Sequence, residues 1–343
     1  MTALGLSVCI SMAAAVSLGM TRFAYALLLP PMRDDLLWSY TLAGAMNTFN
    51  AVGYLVGALL TPMALRRLGA VRVLIWGALF ATLFMALTGF LIDTSALLLQ
   101  RFLAGVASAA VFVSGGLLAA RLGAQTPSQS GLLLGIYYGG TGWGIVLSAL
   151  MVPAALSWAQ AQGVDHPWSW AWWTLAGLCL MLTILLIVIR LPLNRWAPDA
   201  PPSTMASTKS QPTGQALRQW FFALLGYGCF GVGYIGYMTF VVALLREQGA
   251  TLTDITLFYG LLGIAVVVSS RVWAGLLNRY RGGQALSILN GLLSVATLIP
   301  AMTSAWPLMM LSGLIFGVVF LSLVASTTAM VKHNLVPSQW AAG

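Results

Sequence analysis

Gly19-Met-Thr-Arg-Phe-Ala-Tyr25 has a counterpart 212 residues further on, Gly231-Val-Gly-Tyr-Ile-Gly-Tyr237. The same interval pairs Arg67 with Arg279, and Arg101 and Gly105 with Gly313 and Gly317. An interval of 210 pairs Pro127-Ser-Gln129 with Pro337-Ser-Gln339. Each match is weak alone, but four in order at nearly one interval mark an internal duplication. Both copies of the heptapeptide sit in long apolar runs, so the duplicated unit is a bundle of membrane helices if the rest of the chain is equally apolar.

It is. Of 343 residues, 59% are hydrophobic and 7% charged, with a mean hydropathy of +0.90, where a soluble domain carries about 25% charge. Such a composition excludes a soluble enzyme, a disordered regulator and a disulfide scaffold. Stretches free of Asp, Glu, Lys and Arg are Ala3–Thr21 (running past Arg22 to Pro31), Thr41–Leu65, Val73–Ile92, Phe102–Ala120 (preceded by Arg101), Gly131–Ser157, Trp168–Ile189, Gln219–Leu245, Ile255–Ser270 (running past Arg271), Gln284–Ala305 and Pro307–Val331. A membrane helix needs about 20 apolar residues, and these runs are too long for barrel strands. Ten helical spans are therefore expected, in an all-α membrane fold.

With the N-terminus inside, the inner loops and helix ends hold Arg66, Arg67, Arg72, Arg121, Arg190, Arg195, Lys209, Arg218, Arg271, Arg279, Arg281 and Lys332. The outer loops hold Arg33 and Arg246, and Arg22 and Arg101 fall within spans. This asymmetry sets the orientation. It also turns the net charge of +9 into an orientation signal rather than a nucleic-acid patch. The first span lacks the basic start of a signal peptide. Cys9, Cys179 and Cys229 lie in spans without metal or redox spacing.

Residues 192–218 are polar and Pro-rich, and read as a cytoplasmic linker between a six-span bundle (1–191) and a second bundle (219–343). Pro127-Ser-Gln129 precedes a fifth span, whereas Pro337-Ser-Gln339 is followed only by Trp340-Ala-Ala-Gly343. The repeat thus predicts a twelve-span protein of which this chain carries six spans plus four.

A charge inside a span costs at least about 2.5–3.5 kcal/mol and is a functional candidate by default. Arg22 lies about 13 Å, and Arg101 about 9 Å, from the same outer surface at 1.5 Å per residue. No Asp or Glu lies in a span interior; Asp34 is the nearest outer-loop carboxylate. Two arginines without a counter-ion suit an anionic ligand, because guanidinium matches carboxylate or phosphate geometry. The bland alternatives are that Arg22 bonds helix carbonyls or Asn47 and Asn50, and that Arg101 snorkels outward. Tyr227, Phe230, Tyr234 and Tyr237 share one helix face, as cavity lining or as packing. Gly135, Gly139, Gly140 and Gly144 in span five, with Gly105 in span four, permit close helix approach. No Walker lysine follows the span-five glycines, and no nucleophile–base pair or metal cluster is visible, so neither enzyme nor cofactor is expected. His166 and His333 read as solvated loop residues.

Taken together, these features resemble the major facilitator superfamily. Arg101-x-x-x-Gly105-x-x-x-Ala109 is similar to that superfamily's span-four motif, whose arginine the resemblance associates with substrate or proton coupling. The span-five glycines resemble its antiporter-type motif, with Gly139-Gly140 in place of Gly-Pro. The loop after span two departs from the expected Gly-x-x-x-Asp-Arg-x-Gly-Arg-Arg: Pro62 stands at the first glycine and Arg66 at the aspartate, followed by Arg67 and Gly69. The second copy has Asn278-Arg279 at the Asp-Arg place. Thr21-Arg-Phe-Ala-Tyr25, Leu29-Pro-Pro-Met32 and the Gly231–Tyr237 heptapeptide resemble the YbfB/YjiJ branch of bacterial transporters. The resemblance implies a multi-pass permease of the bacterial inner membrane. It would carry a small-molecule substrate, with a proton as candidate coupling ion, through a cavity lined by spans one, four, seven and ten that includes Arg22, Tyr25, Asn47, Asn50, Arg101, Tyr227, Tyr234 and Tyr237. Three rival readings stay open: an efflux permease, a membrane sensor that keeps the fold, and an inactive fragment.

Overall fold

The computed structural model describes residues 2–198, 213–280 and 282–334. Ten of its helices are long and apolar enough to cross a membrane. We label them α1 (Ala3–Asp35), α2 (Tyr40–Leu68), α3 (Ala70–Thr88), α4 (Thr94–Gln125), α5 (Ser130–Ala161), α6 (Pro167–Val188), α7 (Thr213–Glu247), α8 (Leu252–Val272), α9 (Gln284–Met302) and α10 (Trp306–Asn334). The Pro337-Ser-Gln339 repeat lies outside the described residues.

Helix starts are written in short polar residues. Ser39 caps α2 by accepting from Leu42 N–H at 3.2 Å, and Asp93 caps α4 through Ala96 N–H at 2.8 Å. Thr251 and Asp254 close a reciprocal capping box on α8. Gly69, at φ 81°, is the only residue between α2 and α3, a backbone turn that a side chain would strain. Several hydroxyls inside the spans bond back to their own helix, as Thr61 does to the Gly57 carbonyl at 2.6 Å and Thr183 to that of Cys179 at 2.7 Å. Hydrocarbon offers them no other acceptor.

The first helix outruns its apolar stretch, continuing past Pro31 through the charged residues to Asp35. Proline is tolerated inside membrane helices where neighbours satisfy the freed carbonyls. Helix enters the stretch expected as a linker, 192–218, from both ends. Arg190–Trp196 is a helix with Leu193 buried against the first six spans, and α7 begins at Thr213. Pro192 falls in the first turn of that short helix, where its missing N–H is not needed. Residues 199–212 of the expected linker lie outside the described residues.

Helix pairs close on small residues. A Cβ on Gly53 would lie 2.0 Å from the Phe102 carbonyl, and one on Gly105 2.1 Å from that of Asn50, so α2 and α4 touch backbone to backbone. Helix α5 does this twice. Gly140 and Gly144 meet Ser11, Ala15 and Gly19 of α1, while Gly135, Gly139 and Gly142 meet Ser270, Val267 and Gly263 of α8. Such contacts replace the hydrophobic drive that lipid does not supply.

Helix α1 is the most enclosed span, and α7, its repeat-mate, is not. Phe221, Phe222, Leu224, Leu225 and Val232 are exposed. Gly231 has no atom within 4 Å of where a Cβ would stand, whereas a Cβ on Gly19 would be 2.6 Å from Gly144 Cα. Between α7 and α9 lies a recess of about 310 Å³, lined on the α9 side by Ser287, Asn290, Ser294 and Thr297.

Candidate functional site

Arg22 sits on an unusual stretch of backbone. Residues Ala15–Phe23 of α1 form a π-helix in which every residue is buried. Such wide turns are rare and concentrate at functional sites. The Arg22 guanidinium carbon lies 5.4 Å from the ring centroids of both Tyr54 on α2 and Tyr234 on α7. A cation over aromatic faces gains about 0.5–2 kcal/mol, which offsets only part of the cost of burying it. Its Nε has no hydrogen-bond partner.

Arg101 is 2% exposed, two turns into α4. It donates from Nη1 to the Thr21 carbonyl at 3.1 Å and lies 4.8 Å from the Tyr25 ring and 5.7 Å from that of Trp172. Its Nε and Nη2 have no partner. The side chain therefore turns inward toward α1 rather than snorkelling outward, correcting that alternative. Nor do Asn47 and Asn50 serve Arg22. Asn47 donates to Thr239 Oγ1 on α7 at 2.5 Å, and Asn50 to the Arg101 carbonyl at 3.0 Å. Both asparagine Oδ1 atoms are buried without a donor.

No carboxylate among the described residues pairs with either arginine. Asp34 pairs with Arg33 at 3.0 Å at the rim, so the nearest outer-loop acid does not descend into the bundle. Asp35 accepts from Trp168 Nε1 at 2.5 Å and lies 2.7 Å from His166 Nδ1. His166 is thus held by a carboxylate, not simply solvated as expected. Glu247 accepts from Tyr40, and Asp254 is absorbed by its capping box.

The aromatic face of α7 divides. Tyr237 donates to or accepts from Ser312 Oγ at 2.8 Å and stacks on Phe316 at 4.2 Å, a packed arrangement. Phe230 and Tyr234 stack at 4.8 Å and continue through Phe320 of α10 to Phe23 of α1. Tyr227, partly exposed, adjoins Phe230 at 5.4 Å. Tyr25 spends its hydroxyl on the Ala43 carbonyl at 2.8 Å and leaves its ring to Arg101.

Tyr54 and Tyr138 were not singled out in the sequence. Arg22 of α1 lies between the rings of Tyr54 on α2 and Tyr234 on α7, while Tyr138 on α5 packs against Phe112 and Tyr137. A signal for Tyr54 existed: it follows Asn47 and Asn50 by seven and four residues, on one helix face. Tyr138 had none.

The loop-motif residues lie at the other end of the bundle. Arg66 and Arg67 are exposed in the last turn of α2, before Gly69. Asn278 and Arg279 end the short helix Ala274–Arg279, where the Arg279 guanidinium lies 5.7 Å from the Tyr280 ring.

Ten membrane-length helices, glycine-seated pairs and a buried polar centre where four spans meet describe a polytopic membrane protein of transporter type. The profile of the family described as "Uncharacterised MFS-type transporter YbfB" matches residues 14–342, and the chain belongs to that family. No curated relative matches it. Among solved structures it is similar to the nucleoside transporter NupG, with 14% identity and a TM-score of 0.71 over 98% of this chain and 84% of that one. It is similar also to a bacterial homologue of the human lysosomal transporter Spinster, with 13% identity and a TM-score of 0.67 over 99% and 77%. The xylose transporter XylE from E. coli gives 12% identity and a TM-score of 0.61 over 98% and 88%. These likenesses establish the major-facilitator fold.

Proposed function

We propose that this protein is a secondary active transporter that carries a small organic anion by alternating access, the helix groups α1–α6 and α7–α10 rocking about a central site. The observation that carries the substrate class is the buried pair Arg22 and Arg101, whose free donors face no carboxylate among the described residues. An anion supplies the missing acceptor in bidentate form. Tyr54 and Tyr234 beside Arg22, with Phe230 and Tyr227 continuing from Tyr234, give the solute an aromatic wall. That wall also favours the second reading, an efflux permease for aromatic metabolites. Arg66, Arg67, Arg121, Arg271 and Arg279 share the end of the bundle that carries the N-terminus, which supports a cytoplasmic N-terminus in a bacterial inner membrane. A proton is the coupling ion to test first, since the fold is shared with a D-xylose–proton symporter.

The test is uptake into proteoliposomes under an imposed pH gradient, comparing aromatic and aliphatic carboxylates with their neutral amides. Arg22→Ala should abolish carboxylate flux selectively. Equal loss for carboxylates and amides would reject the anion reading.

A further inference from the structure

We propose that Tyr259 is a positioning residue. Its hydroxyl, reaching from α8, holds the wide register of the α1 segment that carries Arg22, so parting of the two helix groups re-aims the guanidinium.

The π segment Ala15–Phe23 is buried throughout, so no water satisfies its carbonyls. Four of them accept side-chain donors, three from other helices. Ser17 accepts from Ser108 Oγ at 2.6 Å, Thr21 from Arg101 Nη1 at 3.1 Å, and Phe23 from the Tyr259 hydroxyl at 2.7 Å. Within the segment Thr21 Oγ1 donates to the Val16 carbonyl, five residues back, at 2.6 Å. Where the segment ends, Leu27 N–H bonds only three residues back, to Ala24, at 3.1 Å. The register thus changes from wide to tight within a few residues of Arg22.

The three donors differ in origin. Ser108 and Arg101 belong to α4, in the same helix group as α1, and travel with it. Tyr259 belongs to α8, in the other group. Only the Phe23 bond is broken by separating the groups. An α-helix turns about 100° per residue, so tightening one wide turn by one residue swings its far end through roughly that angle. Arg22 stands next to that end, between rings contributed by α2 and α7.

The inference rests on the reading that the two groups move apart, but its test reads backbone protection, and absent flux would leave the result standing. Hydrogen exchange followed by mass spectrometry on the full chain in nanodiscs reports the peptide covering residues 15–27. Tyr259→Phe keeps the ring and removes the donor; exchange in that peptide should rise about tenfold or more. Asn47→Ala breaks a second hydrogen bond between the groups, from α2 to α7, which involves no residue of α1; exchange there should stay within about twofold. Equal increases in both variants, or none in Tyr259→Phe, would overturn the proposal. Should Tyr259→Phe fail to fold, a second variant decides. Gly44→Cys with Phe240→Cys, in a background lacking Cys9, Cys179 and Cys229, places two thiols across the same closed end. Joining them with a short bifunctional reagent should slow exchange at 15–27, and no change would equally overturn the idea.

Discussion

Asn47 and Tyr259 occupy equivalent places in the two repeats, 212 residues apart, and each donates a hydrogen bond to the opposite helix group. Asn47 reaches from α2 to Thr239 of α7, and Tyr259 from α8 to Phe23 of α1. The acceptors are not equivalent residues, but the helices are: α2 with α7 and α8 with α1 exchange roles under the duplication. The end of the bundle where α1 meets the α7–α10 group is thus closed by two related bonds. Tyr40 with Glu247 and Phe240, further toward the rim, adds to the closure.

Removing either bond should favour separation of the groups at that end. A buried neutral hydrogen bond contributes about 0.5–1.5 kcal/mol. Thr239→Val and Tyr259→Phe should therefore each raise the population open at that end by about two- to tenfold, and together by roughly the product. Thiol-labelling rates at a cysteine in place of Ala43, measured in whole membranes, would show this; unchanged rates in the double variant would contradict it.

The two repeat-mate glycines should respond in opposite ways. Gly19→Ala drives a methyl to 2.6 Å from Gly144 Cα and should lower stability by about 1–3 kcal/mol. Gly231→Ala meets nothing within 4 Å and, through helix propensity, should be neutral or stabilising by up to about 1 kcal/mol. Detergent melting temperatures of the two variants provide the comparison.

At the rim, Asp35 and Asp34 are adjacent in sequence but unequal in consequence. Asp35→Ala strips the acceptor from Trp168 Nε1 and should cost about 1–3 kcal/mol. Asp34→Ala breaks only an exposed pair with Arg33 and should cost no more than about 1 kcal/mol. Thermal denaturation followed by tryptophan fluorescence separates them.

Tyr25 separates ring from hydroxyl. Tyr25→Phe removes the bond to the Ala43 carbonyl but leaves the ring beside Arg101, so stability should fall by about 1 kcal/mol with solute affinity unchanged. Tyr25→Leu also removes the cation–π contact and should weaken anion binding by about threefold or more. Binding isotherms for both variants against a common carboxylate would test this.

The ten spans were legible because a bilayer imposes length and hydropathy on every crossing, and Arg22 and Arg101 were legible because charge in a span is expensive. The π register of Ala15–Phe23 was not legible. Three of its carbonyls take donors from Ser108, Arg101 and Tyr259, 80 to 236 residues away in the chain. His166 looked like an isolated loop histidine because its partner, Asp35, is 131 residues distant.

The glycine stripes of α5 bear on how such a bundle can move at all. Side chains that interlock must be lifted out of their seats before two helices can turn against each other, and that lifting is a barrier. On α5 the stripe toward α1 and the stripe toward α8 carry almost nothing to lift. The helix is smooth where Gly140 and Gly144 face its own group, and toward the other group Val146 sits against Gly263. It can act as an axle, and a single bulky residue set into either stripe would be a wedge driven into the bearing.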